Sequence, residues 1–181
     1  MPTIIETDRL LLRTWKKEDA DSYWRINQDT KVLEFLMGPL TMEQVREFMT
    51  QCNAGIAEHK FGLFAVEVKE SGEMIGFIGL NIPRFEAHFT PAVEIGWRLA
   101  SDSWGKGYAT EGAKACLEYG FNVVALKEIV SFTVPSNTRS RRVMEKIGMR
   151  QDLAGDFAHP NLPLDHPLSR HILYIIKNND N

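Results

Sequence analysis

Apolar side chains alternate with polar ones, or run together, along six segments of strand length. Two of these segments, 61–69 and 74–82, are separated only by the residues 70–73, so they predict a hairpin with Gly72 at its turn. The other segments stand alone between polar or proline-containing stretches. The predicted strands are residues 4–15, 61–69, 74–82, 93–99, 128–134 and 170–177.

Between the predicted strands, apolar residues recur at three- and four-residue steps, which is the period of a helix. Glu18 and Asp19 favour a helix start by their charge, and Thr41 with Gln44 has the form of a capping box. The apolar stripe after Thr41 is more typical of a helix packed on a sheet than of a cofactor-binding face. The helices are therefore predicted near 18–26, 41–56, 108–121 and 137–147, with a short one before Gly38.

Residues 151–169 are predicted to be a loop, because three prolines interrupt them. His159 and His166 near Asp165 allow a metal-site interpretation, but their spacing matches no zinc pattern. Solvated or structural histidines are the preferred interpretation, so we expect no metal. The order of strands and helices suits an α/β mixed sheet with helices on both faces.

The chain has 181 residues and a formal net charge of −3. That length suits one domain, 1–181, and the weak negative charge argues against nucleic acid as the partner. No apolar run approaches the roughly 20 residues that cross a bilayer, and residues 1–6 lack the features of a secretory signal. Cys52 and Cys116 are isolated thiols, for which a reduced cytoplasm is the simplest setting. We therefore expect a cytoplasmic protein that binds neither nucleic acid nor membrane.

A strand, a glycine turn and a helix follow one another between Val93 and Ala115. Gly105 and Gly107 leave the backbone of the turn bare, and free N–H groups at the helix start can bind a phosphate or pyrophosphate. On Gly-x-Gly alone, an ordinary turn is the commoner explanation. Spacing excludes a P-loop, and it excludes a dinucleotide fingerprint because Thr110 stands where Gly or Ala is required.

The residues around the glycine turn and three other stretches of the chain make the interpretation of the turn more specific. Residues 104–111 read WGKGYATE and closely resemble the pyrophosphate loop of the GNAT acetyltransferases, Arg/Gln-x-x-Gly-x-Gly/Ala, with Gly107 and Ala109 in the last two places. Trp104 departs from the usual Arg or Gln, although it is similar to the branch that acetylates the N-termini of ribosomal proteins (RimJ/RimL-like). The chain also resembles this family, in the right order, at 8–13 (DRLLLR), 137–140 (NTRS) and 145–149 (EKIGM).

This resemblance implies the GNAT fold, in which the sheet splays between its fourth and fifth strands to admit acetyl-CoA. Counted along the predicted strands, these are residues 93–99 and 128–134. The pantetheine arm is then expected to pair with the strand backbone like an added strand, and the pyrophosphate to lie on the loop amides, with Lys106 adding charge. The implied cofactor-binding residues are Trp97, Arg98, Leu99, Gly105, Lys106, Gly107, Tyr108, Ala109, Thr110, Asn137 and Ser140.

The implied reaction is direct attack of an amine on the thioester, which needs a neutral amine and a stabilised leaving thiolate. Glu94 resembles the family's fourth-strand base, although a solvated strand residue is an equal alternative. Ser140 matches the serine to which the ribosomal branch assigns a hydrogen bond with the thiolate. Asn137 suits the pantetheine amides or a helix cap. Many members place a tyrosine general acid where this chain has Met144, so the implied catalytic residues are Glu94 and Ser140.

Amine chemistry bears on the acceptor. An α-amine with a pKa near 8 is roughly a tenth neutral at pH 7, whereas a lysine is neutral at well below a thousandth. A weakly placed base therefore favours an N-terminal α-amine, as on a ribosomal protein. Acetylation of a small amine (amino acid, polyamine or antibiotic) and an acyl-CoA-binding regulatory domain without turnover are the alternatives. The loops at 27–41, 83–91 and 151–169 carry no recognisable acceptor code, and both a monomer and a homodimer stay open.

Overall fold

Eight strands form a single sheet in the computed structural model of the chain, which describes residues 3–178. Residues 1–2 and the polar residues 179–181 lie outside the described part of the chain. In chain order the elements are β1 Thr3–Glu6, β2 Leu10–Arg13, α1 Asp19–Ile26, α2 Thr30–Leu33, α3 Met42–His59, β3 Leu63–Val68, β4 Met74–Asn81, β5 Glu94–Leu99, α4 Tyr108–Asn122, β6 Glu128–Thr133, α5 Thr138–Lys146, β7 Arg150–Ala158 and β8 Arg170–Lys177.

The strands are ordered β1-β2-β3-β4-β5-β6-β8-β7 across the sheet. Every neighbouring pair is antiparallel except β5 and β6, which are parallel. The predicted mixed sheet is therefore confirmed, and so is the hairpin, with Gly72 at a φ of 70°. The capping box at the start of α3 is also present, with Thr41 and Gln44 bonding each other's backbone N–H.

The prediction of one strand over 4–15 is wrong, because the chain reverses at Thr7 and forms the antiparallel pair β1 and β2. Both the amide and the hydroxyl of Thr7 bond the backbone carbonyl of Leu10, and the same hydroxyl accepts from the Leu10 amide at 3.0 Å. A threonine that bonds its own turn competes with an extended conformation. An alternating pattern continues through such a tight turn, so the pattern alone did not reveal it.

The prediction of a loop over 151–169 is wrong in its first half, where β7 runs to Ala158. This strand lies at the edge of the sheet and pairs only with β8, with an irregularity between Asp152 and Phe157. Most of its residues are exposed or half-buried. An edge strand with little apolar surface to bury gives a weak sequence signal, since its stability comes from the ladder with its neighbour.

Apolar cores lie on both faces of the sheet. On one face α4 packs against β4 and β5, with fully buried residues such as Ala113, Ile78 and Ile95. On the other face α1 and α3 pack around Trp15 and Tyr23, whose ring centroids are 4.9 Å apart. Helices on both faces were predicted, and this arrangement confirms them.

A buried ion pair connects β2, β3 and the start of α1. Arg13 donates two hydrogen bonds to Asp19, at 2.7 and 2.9 Å, and a third to Glu67 at 2.7 Å. The Arg13 and Asp19 side chains are only 4% and 5% exposed. Because charges removed from water need such complete pairing, this contact holds α1 at one place on the sheet.

Candidate active site

A pocket of about 670 Å³ opens where β5 and β6 separate. Its walls come from both faces of the sheet, from the glycine turn before α4, and from α2 and α5. Nearly all of the predicted site residues line it: Glu94, Trp97, Arg98, Leu99, Gly105, Gly107, Tyr108, Ala109, Thr110, Asn137 and Ser140. The exception is Lys106, which is exposed outside the lining, so its charge role stays a prediction.

The opening exists because β5 and β6 pair only at their first residues. Glu94 is opposite Val130, and the Val130 amide bonds the carbonyl of Val93 at 2.9 Å. One step further, the Ser131 hydroxyl rather than a backbone amide bonds the Ile95 carbonyl. The strands therefore diverge after this point, which confirms the predicted splay between these two strands.

Successive residues of β5 direct their backbone N–H and C=O groups alternately towards the gap and towards β4. The carbonyls of Ile95 and Leu99 both point towards the gap, where Ser131 and Trp104 bond them. By the alternation of a strand, the Trp97 amide and carbonyl face the same way and meet no paired strand. The Arg98 carbonyl points instead to β4, since a Cβ on Gly76 would stand 2.0 Å from it. Of the three residues expected to pair with the pantetheine, Arg98 therefore turns its backbone away from the gap.

The glycine turn ends in the N-terminus of α4. Gly105 and Gly107 have φ angles of 75° and 84°, a region that residues with a Cβ rarely adopt. Arg9 holds the turn from outside, donating to the Lys106 carbonyl at 2.9 Å and to Glu111 at 2.6 Å. The amides at the start of α4 are thus presented to the pocket by a fixed loop, as an anion site requires.

Three cations on α5 also line the pocket, and sequence reasoning gave them no role. Arg139, Arg142 and Lys146 recur at steps of three and four, so they share one face of the helix. Arg139 lies 4.6 Å from the ring centroid of Trp104 and forms an ion pair with Glu34 at 2.5 Å. This spacing was visible in the sequence. The three cations add positive charge to the pocket lining, with Arg139 sharing its charge with Glu34.

The contacts of Trp104 show why this chain has a tryptophan where the family pattern has Arg or Gln. Its indole N–H donates to the Leu99 carbonyl at 2.9 Å, and its ring packs against the cores on both faces of the sheet. A side chain in this place closes the end of β5 and supports the turn that follows. An arginine or glutamine in the same place could donate the same bond but could not fill both cores.

Glu94 lies at the closed end of the gap, on the pocket wall. It is partly accessible from the pocket, yet burial raises the pKa of its carboxyl to about 8, against a smaller lowering by a hydrogen bond with Asn81. A freely solvated strand carboxylate would keep a pKa near 4.5. With a pKa near 8 the proton of Glu94 can exchange near neutral pH, and its role as a base stays a prediction.

Asn137, Ser140 and Met144 follow one another along the first turns of α5. The Asn137 side chain accepts from the Ser140 amide at 3.2 Å, so it caps the helix and keeps its own amide N–H₂ group for another partner. Ser140 is partly buried on the pocket wall. Met144 is 2% exposed within the core and offers no proton.

A family model described as an acetyltransferase (GNAT) domain matches residues 9–150. The chain belongs to the GNAT acetyltransferases. The uncharacterized N-acetyltransferase YnaD of Bacillus subtilis is 34% identical over 82% of this chain and 83% of its own length. A GNAT-family acetyltransferase structure from Bacillus anthracis has 31% identity and a TM-score of 0.79, covering 96% of this chain and 97% of that one. RimJ of Mycobacterium smegmatis, solved in complex with CoA-disulfide, shares the fold at 23% identity and a TM-score of 0.73, with 93% and 81% covered.

The GNAT pocket continues into an aromatic wall built from β6, β7, β8 and the loop before β5. Phe132 lies 5.9 Å from His171 and 6.3 Å from His159 between ring centroids. Phe85, from the loop, packs on His159 at 4.7 Å. The wall lines the pocket through Phe132, His159 and His171, and it was not foreseen from the sequence.

The two histidines of this wall have opposite tautomers. His171 Nδ1 lies 3.2 Å from the Ser169 carbonyl, which can only accept, so the Nε2 atom of this ring carries the lone pair. His159 Nδ1 accepts from the Asn161 amide at 3.3 Å, so its Nε2 carries the proton. Burial lowers the pKa of both, and both are neutral at pH 7. The predicted structural role fits His159, while His171 looked like an ordinary strand residue.

No group of histidine, cysteine and carboxylate side chains within residues 3–178 has the arrangement of a metal site. Over the same part of the chain, no helix combines the length and the apolar character needed to cross a membrane.

Proposed function

We propose that this GNAT N-acetyltransferase transfers the acetyl group of acetyl-CoA to an α-amine, as found at the N-terminus of a ribosomal protein. The observation that carries the proposal is one continuous pocket, which runs from the glycine turn through the β5–β6 gap to the carboxyl of Glu94. An anion site at one end and a titratable carboxyl at the other match the two substrates of such a transfer.

The residues of the pocket fit acetyl-CoA. Bare backbone at Gly105 and Gly107 and the free amides at the start of α4 suit a pyrophosphate, and the α5 cations add charge beside it. The unpaired amide and carbonyl of Trp97 suit the pantetheine amides, as does the free N–H₂ group of Asn137. When bound, acetyl-CoA supplies the activated acyl group.

Glu94 supports an α-amine as the acceptor. A protonated amine that enters the gap can pass its proton to the carboxylate, which leaves two neutral groups in a site where burial disfavours charge. With the pKa of Glu94 at about 8, this transfer is nearly balanced for an α-amine, whose pKa is also near 8. For a lysine near 10.4, the same transfer is uphill by about 3 kcal/mol.

Ser140 is proposed to donate a hydrogen bond to the departing sulfur. Its hydroxyl has no hydrogen-bond partner among the described residues, and it lies on the pocket wall one helical turn before Met144. Because Met144 cannot donate a proton, solvent is proposed to protonate the thiolate after release. The alternative of a binding domain without turnover is disfavoured by a buried carboxyl in the gap, which mere cofactor binding does not need.

A thiol-release assay with acetyl-CoA tests the proposal. The purified chain is given three kinds of acceptor. The first are peptides that begin with Ser or Ala and have a free N-terminus. The second are the same peptides with the N-terminus blocked and a free lysine side chain, and the third are small amines such as a polyamine. We expect release with the free α-amine and at least about ten-fold less with the blocked peptide. Equal rates for the two peptides would reject the α-amine, and no release with any amine would reject the transferase.

A further inference from the structure

Arg98 lines the pocket, and three neighbouring side chains hold its guanidinium in place. It follows Glu94 by four residues on β5, so both side chains lie on the same face of the sheet. Its Nη1 donates to the Asn27 side-chain oxygen at 2.6 Å and lies 3.4 Å from the Tyr23 hydroxyl. Its guanidinium also lies 5.7 Å from the ring centroid of Phe77.

The partners that hold Arg98 are themselves completely buried, since Asn27 and Tyr23 are both 0% exposed. Within residues 3–178, Arg98 forms no ion pair, whereas Arg9, Arg13 and Arg139 each contact a carboxylate. A guanidinium has five N–H donors in a planar fork. Among the described residues only Nη1 is engaged, so the Nε and Nη2 donors have no protein partner there, and Arg98 itself lines the pocket.

The surrounding charges favour an anion at this place. The other cations that line the pocket are Lys31 of α2 and the three on α5, whereas Glu94 is the one acid among the described residues that line it. Glu94 is four strand residues away, about 13 Å between Cα atoms. A planar, charged fork that is fixed by buried neutral groups and has no carboxylate partner among the described residues can bind a carboxylate in two-point contact.

We propose that Arg98 binds a carboxylate of the acceptor, so that the enzyme selects amines that carry an acidic group nearby. This inference rests on the proposed function, because it places the reacting amine at Glu94. The acceptor has to reach from its amine at Glu94 to a carboxylate at Arg98. An acidic side chain one or two residues after the reactive N-terminus spans this distance better than the carboxylate of a free amino acid, which is two bonds from its amine. Both sources share the same chemistry, and they are distinguished below.

The test compares acceptors that differ only in the acid. The peptide pair is Ser-Glu-Ala-amide and Ser-Gln-Ala-amide, and the small pair is phenylalanine and phenylalaninamide. We expect kcat/KM for the glutamate peptide to exceed that for the glutamine peptide by about ten-fold or more. A preference in the small pair instead would assign the carboxylate to a free amino acid, while equal values within both pairs would overturn the proposal.

Variants of Arg98 assign the preference to this side chain. We expect Arg98→Gln to bring the acid-to-amide ratio close to one and Arg98→Lys to keep part of it. Arg46→Gln, on the exposed face of α3 outside the pocket, should retain the full ratio. Comparing ratios between proteins cancels the differing amine pKa values of the acceptors. A ratio that persists in Arg98→Gln, or a loss confined to acetyl-CoA affinity, would refute the role.

Binding separates this inference from the proposed function. If no acceptor is turned over, the N-acetylated forms of the two peptides are titrated calorimetrically into the complex with CoA. Tighter binding of the acetylated glutamate peptide, lost in Arg98→Gln, would support Arg98 even without turnover. Equal binding of the two would overturn it. The wild-type comparison needs no variant, so the test holds even if Arg98→Gln does not fold.

Discussion

At the scale of single residues, the site depends on where two ordinary side chains lie. Glu94 owes its chemistry to burial, which raises its pKa to about 8. Ser140 is a candidate because the Asn137 cap fixes the first turn of α5 beside the pocket. Neither residue type is unusual in a sequence, so their environment makes them candidates for catalysis.

Replacing Glu94 with Gln removes the proton acceptor while keeping size and hydrogen bonding. Because the raised pKa means that the carboxylate forms as pH rises through about 8, wild-type kcat/KM should climb through that range. We expect Glu94→Gln to lose about a hundred-fold near pH 7 and to lose less as pH rises and solution supplies neutral amine. The full pH profile of kcat/KM measures this. A profile identical to wild type would show that Glu94 is not the base, and His171 Nε2 would be the next candidate.

Ser140→Ala should act on turnover rather than affinity. If the hydroxyl bonds the departing sulfur, kcat should fall by about ten- to a thousand-fold with acetyl-CoA affinity nearly constant. Steady-state kinetics measure kcat, and calorimetric titration measures the acetyl-CoA affinity. Ser136→Ala, at an exposed turn residue just before α5, is the matched control. A weaker affinity with unchanged kcat would instead make Ser140 a pantetheine-positioning residue.

At the scale of elements, the connections between strand and helix position the site. The turn between β5 and α4 has two residues with positive φ and is held by Arg9 from outside. The start of α1 is anchored on β2 by the Arg13–Asp19 pair. Each connection converts a local sequence feature into a fixed wall of the pocket.

Gly107→Val should weaken acetyl-CoA binding by several-fold or more. A Cβ at this φ of 84° strains the turn, and it would stand 3.3 Å from Arg9 Nη2 as well as beside the anion site. Calorimetric titration measures the affinity. Gly72→Val carries a comparable strain at a φ of 70° in the β3–β4 hairpin, away from the pocket, and should bind as wild type does. Unchanged affinity in a folded Gly107→Val variant would remove the turn from the cofactor site.

Asp19→Asn should destabilise the protein by about 2 to 3 kcal/mol, because it removes the charge of the bidentate partner and leaves Glu67 as the remaining carboxylate on the buried Arg13. Urea unfolding gives the free energy. The comparison is Glu6→Gln, which breaks the exposed pair with Lys69 at 2.7 Å and should change stability by about 1 kcal/mol or less. Losses of similar size in both variants would contradict the assigned importance of burial.

At the scale of the whole molecule, the sheet consists of two parts with a weak seam. Among the described residues, β1 to β5 form one ladder and β6 to β8 another, and the two are joined by the short pairing around Glu94 and Val130 and by the Ser131 bond to Ile95. Because the gap lies between the two parts, the pocket is at the centre of the sheet rather than at its rim, and a ligand bound there would contact both parts.

Acetyl-CoA should therefore slow amide hydrogen exchange along β5, at Trp97 above all, while the β2–β3 ladder changes little. At about a hundred times its dissociation constant it should add about 2.7 kcal/mol of stability and raise Tm by about 5 to 10 °C. Exchange mass spectrometry and thermal denaturation measure both. Protection that appears only outside the gap would contradict this location for the cofactor.

What the sequence by itself determined about this protein is whatever depends on neighbours along the chain. The hairpin around Gly72 and the capping box at Thr41 both follow from local geometry. The glycine turn and its family resemblance belong here too, because backbone freedom at Gly105 and Gly107 is a property of those residues.

Only the tertiary structure decided the rest, because it depends on residues far apart in the chain. The pKa of Glu94 follows from the protein packed around its carboxyl, and the fixed fork of Arg98 needs Tyr23 and Asn27, more than 70 residues earlier. β7 exists through its ladder with β8, which also brings His171 within 5.2 Å of His159. Burial and pairing are set by the fold, and periodicity within one segment does not record them.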